Sequence, residues 1–202
     1  MASPLPVEPE QPEVRSGRPR IAAGTKAHEV AFYDRDDQLV STVVAYLMEG
    51  LDAGQPAVVI ATGLHRRAFA EGIRAAGFDP VRLSEDGDLL LLDARRTLNA
   101  FLEGPTPVWE LFQATIGNVL QRLRQRRPGA VVRGYGEMVD VLCREGNASG
   151  ALALEEFWTR MTREHSFSLL CAYSDGSVLR SANGAAFRHI CRAHELAHDL
   201  SA

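Results

Sequence analysis

Lysine is almost missing from this chain of 202 residues: Lys26 is the only one, and every other side chain of fixed positive charge is an arginine. A nucleotide-hydrolysing α/β protein carries, after its first strand, a glycine-rich loop ending in lysine and a hydroxyl residue, whose backbone N–H groups and ammonium cradle phosphate. Here the turn after the first apolar strand reads Asp34-Arg35-Asp36-Asp37, with no glycine, no lysine and three carboxylates that repel phosphate. Hydrolysis by a phosphate-loop mechanism is therefore not expected. Cysteine is scarce too. Cys143, Cys171 and Cys191 are odd in number, widely spaced and without a Cys-x-x-Cys pair, which suits a reducing compartment better than a secreted disulfide scaffold. No apolar run approaches the roughly 20 residues that span a bilayer, and the N-terminus lacks the basic-then-apolar order of a signal peptide. The expected location is the cytoplasm, away from membranes. Excess positive charge is lacking as well: the net charge is -4, which offers nucleic acid no general attraction. The main basic run, Arg122 to Arg127, falls at the end of a predicted helix, where cations complement the helix dipole.

What is present begins after a proline-rich opening. Residues 1–27 combine repeated proline with mixed charge and almost no aromatic content, and read as a flexible tail. Residues 28–202 read as one domain with one sizeable core. Within it the apolar period switches repeatedly between strand and helix. "EVAFYD", "PAVVIAT", "DLLLLDA", residues 130–135 and "FSLLCAY" are predicted strands. Amphipathic stretches between them are predicted helices, including one over 66–76 that Gly77 would close, a long one that Thr106-Pro107 would cap and a closing one over 185–199. Regular alternation predicts an α/β fold, a mostly parallel sheet with helices on both faces in three layers. Ligands of such sheets bind beyond the carboxyl ends of the strands, a rim that gathers Tyr33, Asp34, Thr62, Asp93, Tyr135, Glu137 and Tyr173.

Three constellations deserve a chemical reading. Cys191, His194 and His198 would share a face of the closing helix and offer a metal-ligand set, but Phe187, Ile190, Cys191 and His194 also form an ordinary core stripe. Cys171, with His28 or His194 as base, has the makings of a nucleophile, yet it sits inside an apolar strand where burial leaves a thiol inert. In "VVRGYGEMVDVLCREGN", Arg133 and Tyr135 alternate on one strand face and Glu137 and Asp140 follow. A buried Arg133 needs compensation, so either it clamps strand to helix through Glu137 or Asp140, or Glu137 lines a pocket.

The ordered blocks "HEVAFYD", "LMEGLDAGQPAVVIAT", "GDLLLLDARRTLNAFL", "VRGYGEMVDVLCREGNASGALALEEFWTRM", "FSLLCAY" and "FRHICRAH" resemble the MEDS domain, the methanogen/methylotroph DcmR sensory domain, over residues 28–198. That resemblance implies a degenerate relative of the RecA-like ATPase KaiC that has lost its phosphate loop. It also implies a non-catalytic sensory module for small organic molecules, joined in other members to DNA-binding domains or histidine kinases. The family pattern points to His28, Tyr33, Tyr135, Glu137, Cys171, Tyr173, Cys191 and His194. The expectation is a signal-input domain without enzymatic activity or cofactor. It would bind a small organic molecule at the rim through Tyr33, Tyr135, Glu137 and Tyr173, with His28, Arg133, Cys171 and His194 nearby, and relay the signal to a partner protein or through self-association. The competing expectation is a ligand-free interaction module for a kinase or transcription regulator. A metal- or thiol-dependent enzyme is the third.

Overall fold

The computed structural model describes residues 14–174 and 184–201. Its elements follow the chain as β1 (Val14–Ser16), β2 (His28–Tyr33), α1 (Asp36–Asp52), β3 (Ala57–Ala61), α2 (Gly63–Ala75), α3 (Pro80–Glu85), β4 (Leu89–Asp93) and α4 (Ala94–Asn99). After the short pair β5 (Leu102–Glu103) and β6 (Thr106–Pro107) come α5 (Trp109–Arg126), β7 (Val132–Gly136), α6 (Met138–Arg144), α7 (Ala148–Glu164), β8 (Phe167–Ser174), α8 (Gly184–Ala193) and β9 (Leu196–Asp199). Seven strands form one sheet in the order β1-β9-β2-β8-β7-β3-β4, and every pairing in it is parallel. The predicted α/β architecture is present, and its physical basis is the near-continuous burial of β2, β3, β7 and β8, as expected of strands covered on both sides.

Side chains alternate across this sheet. Ala31, Tyr33, Val59, Ala61, Tyr135, Leu170 and Ala172 face α1 and α2. Val30, Phe32, Val58, Ile60, Val132, Leu169, Cys171 and Tyr173 face α4 to α8. On this second side an aromatic seam joins α5 to α7, with the Phe112 and Trp158 rings edge to face at 4.9 Å between centroids, a favoured geometry for aromatic pairs.

Four expectations change. Residues 14–27 are not a loose tail: β1 pairs with β9 at Val14↔Ala197, and Ile21 and Ala27 are buried. Backbone pairing and a few anchoring contacts hold this segment, and composition does not register either. The remainder of the proposed tail, residues 1–13, lies outside the described residues. Thr106-Pro107 does not open the long helix. Gly104, at φ +60°, turns the chain so that Leu102–Glu103 pairs antiparallel with it, and the helix starts at Trp109. Helix α2 begins at Gly63, three residues before the predicted start at 66, and so gains His65. The closing helix ends at Ala193, and Leu196–Asp199 enters the sheet as a strand between β1 and β2.

Gly50, in the last turn of α1, matters for packing. A Cβ there would lie 2.6 to 2.8 Å from Cγ, Cδ and Nε of Arg133, so the missing side chain is the channel through which the arginine passes. Gly50→Ala usually helps a helix by about 1 kcal/mol. Here it is expected to destabilise by about 1–3 kcal/mol through overpacking, read as a lower urea midpoint.

Candidate functional site

The carboxyl rim of the sheet holds a dense polar cluster built around Glu137, which is 2% exposed. Glu137 follows β7 as the N-cap residue of α6. Its Oε1 accepts the Thr62 backbone N–H at the end of β3. Its Oε2 faces Nδ1 of His65 at 2.6 Å and accepts the Tyr135 hydroxyl at 3.1 Å. Burial works against charge on both Glu137 and His65, but their mutual attraction outweighs it. The Glu137 pKa is lowered, helped by Thr62, and the His65 pKa is raised, helped by Asp36. Burial and the neighbouring Glu137 charge push the Tyr135 hydroxyl well above its ordinary value. Beside this cluster, Asp140 accepts from both the amide and the hydroxyl of Ser174 at 3.0 and 2.8 Å and from Nε of Arg144 at 2.7 Å, while Arg144 reaches the Tyr33 hydroxyl. The end of β8 is thereby tied to α6.

Arg133 pairs with neither carboxylate proposed for it. Fully buried, it runs toward α1 and donates to Gln55 Oε1, the Tyr46 carbonyl and the Ile21 carbonyl at 3.1, 3.1 and 2.7 Å, with its guanidinium 4.5 Å from the Tyr46 ring centre. Glu137 lies past the carboxyl end of the strand, and Asp140 lies a helical turn farther on. Both are therefore engaged away from Arg133.

The remaining candidates lie on the other side of the sheet. His28, at the start of β2, and Cys171 and Tyr173, on β8, face α7, where they meet Glu155; His194, just beyond α8, completes the group. Glu155 is wholly buried. Its Oε1 accepts the Tyr173 hydroxyl at 2.6 Å. Its Oε2 lies 3.4 Å from Nε2 of His28, 3.2 Å from Nε2 of His194 and 3.7 Å from Sγ of Cys171. Burial would raise the Glu155 pKa, but His194 and His28 hold it well below the ordinary carboxylate range. Burial first, then the nearby His194, depresses His28 to about 4, so its ring is neutral near neutral pH. Burial and the Glu155 charge push the Cys171 thiol well above its ordinary value.

The single rim pocket expected from the sequence is thus divided by the sheet. Tyr33, Tyr135 and Glu137 meet on the α1/α2 side, His28, Cys171, Tyr173 and His194 meet on the α7/α8 side, and Arg133 joins neither group. The proposed Cys191, His194, His198 metal face does not form. His198 belongs to β9, in register with Ala31, and bonds Glu29 at 2.7 Å on the α1 side, while Cys191 packs in the core opposite. Two residues escaped the sequence reading. Glu155 was visible in principle, because Ala151, Leu154, Glu155, Trp158, Met161 and Thr162 form the buried stripe of α7, and a carboxylate on such a stripe requires partners. His65 was lost with the first turn of α2.

These placements bear on thiol chemistry. Cys171 and Cys191 are buried, and burial, with Asp140 next, pushes the half-buried Cys143 thiol up to about 12. Thiolate is the reactive form. A disulfide reagent at mildly alkaline pH is therefore expected to modify none of the three thiols rapidly in the folded chain and all three after unfolding; a fast native thiol would contradict this.

Between α7 and α8 a groove of about 610 Å³ opens, lined by Glu156, Thr159, Arg160, Arg163, Glu164, His189, Arg192 and Ala193. Its floor touches the buried cluster, since Thr159 Oγ1 lies 3.3 Å from Nδ1 of His28 and donates toward the Glu155 and Ala193 carbonyls at 2.9 and 3.1 Å. None of the described helices is long and apolar enough to cross a membrane.

Comparison with known proteins gives one family. The sequence model of MEDS, the MEthanogen/methylotroph, DcmR Sensory domain, matches residues 27–195. No curated protein matches. Among solved structures, the chain is similar to Thermomonospora curvata EccC (ATPases 2 and 3) in complex with a signal sequence peptide. The identity is 17% and the TM-score 0.41, with 84% of this chain and 29% of that chain covered.

Proposed function

This chain belongs to the MEDS family of sensory domains, and from that membership and the α7/α8 groove we propose that it is a non-catalytic signal-input domain that binds a small organic molecule in that groove. The carrying observation is the groove's position. Its volume suits a small ligand, and Thr159 on its floor is hydrogen-bonding neighbour to His28, so occupancy is coupled directly to the buried Glu155 cluster. The rim supports the reading from the other direction. Glu137 takes the Thr62 amide, the Tyr135 hydroxyl and Nδ1 of His65, and Nε2 of His65 lies 3.4 Å from Asp36, which organises the rim as a structural joint between β3, β7, α2 and α6.

Signalling requires the ligand to favour one arrangement over another, because equal affinity for both shifts nothing. Helices α7 and α8 are the natural moving parts, since the groove lies between them and they meet at the cluster; a partner protein reading that pair receives the signal. Thermal-shift screening with short-chain alcohols, aldehydes and carboxylic acids is expected to yield stabilising compounds that lose their effect in Ala193→Phe, which fills the groove. A flat response across the panel, or shifts unchanged by Ala193→Phe, would remove the groove from the account.

A further inference from the structure

We propose that His28, Glu155, Cys171 and His194 form a closed binding site for one divalent transition-metal ion, with zinc the best fit, joining β2 and β8 to α7 and the end of α8. The inference goes beyond the sensory reading and stands independently of any ligand in the groove. Its first support is distance. The four ligand atoms, one per residue, all lie within 4.8 Å of one another. Zinc bonds of about 2.0–2.1 Å to nitrogen or oxygen and about 2.3 Å to sulfur, at tetrahedral angles, place neighbouring ligand atoms about 3.3–3.6 Å apart. Here Glu155 Oε2 lies 3.4 Å from His28 Nε2 and 3.2 Å from His194 Nε2, and Cys171 Sγ lies 3.5 Å from His28 Nε2 and 3.7 Å from Glu155 Oε2. Small side-chain adjustments close these edges onto a common centre.

The outer partners of each group supply the second support. Nδ1 of His194 lies 2.7 Å from the Ile190 carbonyl, which only accepts, so Nδ1 carries the proton and donates it. The single hydroxyl proton of Thr159 goes to a backbone carbonyl, leaving a lone pair for the Nδ1–H of His28. With Nδ1 donating outward, the Nε2 of each ring is the nitrogen that faces Glu155 Oε2, and a metal ion would take it in place of any proton it carries. Nε2 of His194 is buried and, despite the short approach to Glu155, is not aligned for a hydrogen bond. Glu155 keeps Oε1 occupied by the Tyr173 hydroxyl and presents Oε2 alone. Ligating histidines that donate their other N–H outward, and ligating carboxylates held by a hydrogen bond, are the usual supports of a metal centre.

Charge also balances. Binding releases the Cys171 thiol proton to solvent, and a divalent ion with one thiolate, one carboxylate and two neutral imidazoles is electrically neutral, which suits a set of side chains removed from water. Two nitrogens, one sulfur and one oxygen in tetrahedral array favour zinc over the octahedral oxygen-loving ions. Four protein ligands leave no open position, so the ion would hold the fold together and not activate water.

The test is metal content of the full chain, purified without chelator, together with substitution by Co²⁺. About one zinc ion per chain is expected. The cobalt form should show the strong visible bands of a tetrahedral site and a near-ultraviolet sulfur-to-cobalt charge-transfer band. Tyr173→Phe should weaken metal affinity about 10–100-fold, and Cys143→Ser should leave it unchanged. Cys171→Ser should abolish the charge-transfer band. A folded wild-type chain that retains neither Zn²⁺ nor Co²⁺ after equilibration, or a cobalt form without the sulfur band, would overturn the proposal. If Cys171→Ser does not fold, the wild-type cobalt spectrum still decides.

Discussion

Arg133→Ala is expected to lower the free energy of unfolding by about 3–5 kcal/mol, the range reserved for loss of a buried, fully hydrogen-bonded charge and the cavity left behind. The side chain is wholly buried and satisfies the carbonyls of Tyr46 and Ile21 together with Gln55 Oε1. Truncation leaves those acceptors without a donor and empties the space beside Gly50. Arg133→Lys should recover only part of the loss, because one ammonium cannot reproduce a planar fork of donors diverging toward three acceptors. Urea unfolding monitored by tryptophan fluorescence measures both. A loss below about 0.5 kcal/mol for Arg133→Ala, the level of an ordinary surface change, would mean that the carbonyls find other partners. The same arginine explains how residues 14–27 are held: its bond to the Ile21 carbonyl fastens that segment onto α1, so the alanine variant should also expose the segment to limited proteolysis.

Removing Glu137 should cost a comparable amount. In Glu137→Ala, the Thr62 amide, the His65 ring and the Tyr135 hydroxyl all lose their acceptor in a nearly closed setting, and about 3–5 kcal/mol is expected. The accompanying pH dependence has a definite sign. His65 has a folded pKa above its ordinary 6.5, so its contribution is complete below that value and is lost as pH rises through the folded pKa. Glu137 has a folded pKa below its ordinary 4.5, so its contribution is complete above that value and is lost as pH falls through the folded pKa. The pair therefore stabilises most between those ordinary values. The stability difference between the wild type and His65→Gln should peak in that window and shrink on either side. A difference that is constant across pH would show that the two groups do not form a charged pair.

Glu137 and Arg133 also show what a strand-and-helix reading can and cannot supply. Period-two alternation placed Arg133 and Tyr135 on one face of β7, and both do face the α1 side. Alternation says nothing of what crosses from α1, so it points Arg133 to the nearby carboxylates, whereas its partners are Gln55 and two backbone carbonyls. Carbonyl partners are invisible in a sequence, because every residue carries one. His65 and Glu155 were missed for different reasons. An N-terminal boundary error in α2 removed the first from its helix, whereas the second lay in plain sight on an apolar stripe. The closing segment misled because Leu196–Asp199 is too short for a clear period, and its strand state depends on the groove that β1 and β2 form around it.

The amino-acid sequence by itself determined the class of this protein. Buried apolar runs alternating with amphipathic stretches satisfy their backbone and bury their surface as a parallel sheet between helices, and the turn Asp34-Arg35-Asp36-Asp37 offers neither glycine nor lysine to hold a phosphate. Only the tertiary structure decided which polar residues meet. His28, Glu155, Cys171 and His194 come from two strands, one helix and the bend that follows another helix, and a strand's side chains alternate between faces. The parallel order β9-β2-β8-β7 therefore sorts residues that share a rim in sequence onto opposite sides of the sheet. Depth and facing side, set by register and burial, place one group of titratable residues at the joint around Glu137 and the other in the enclosed chamber around Glu155.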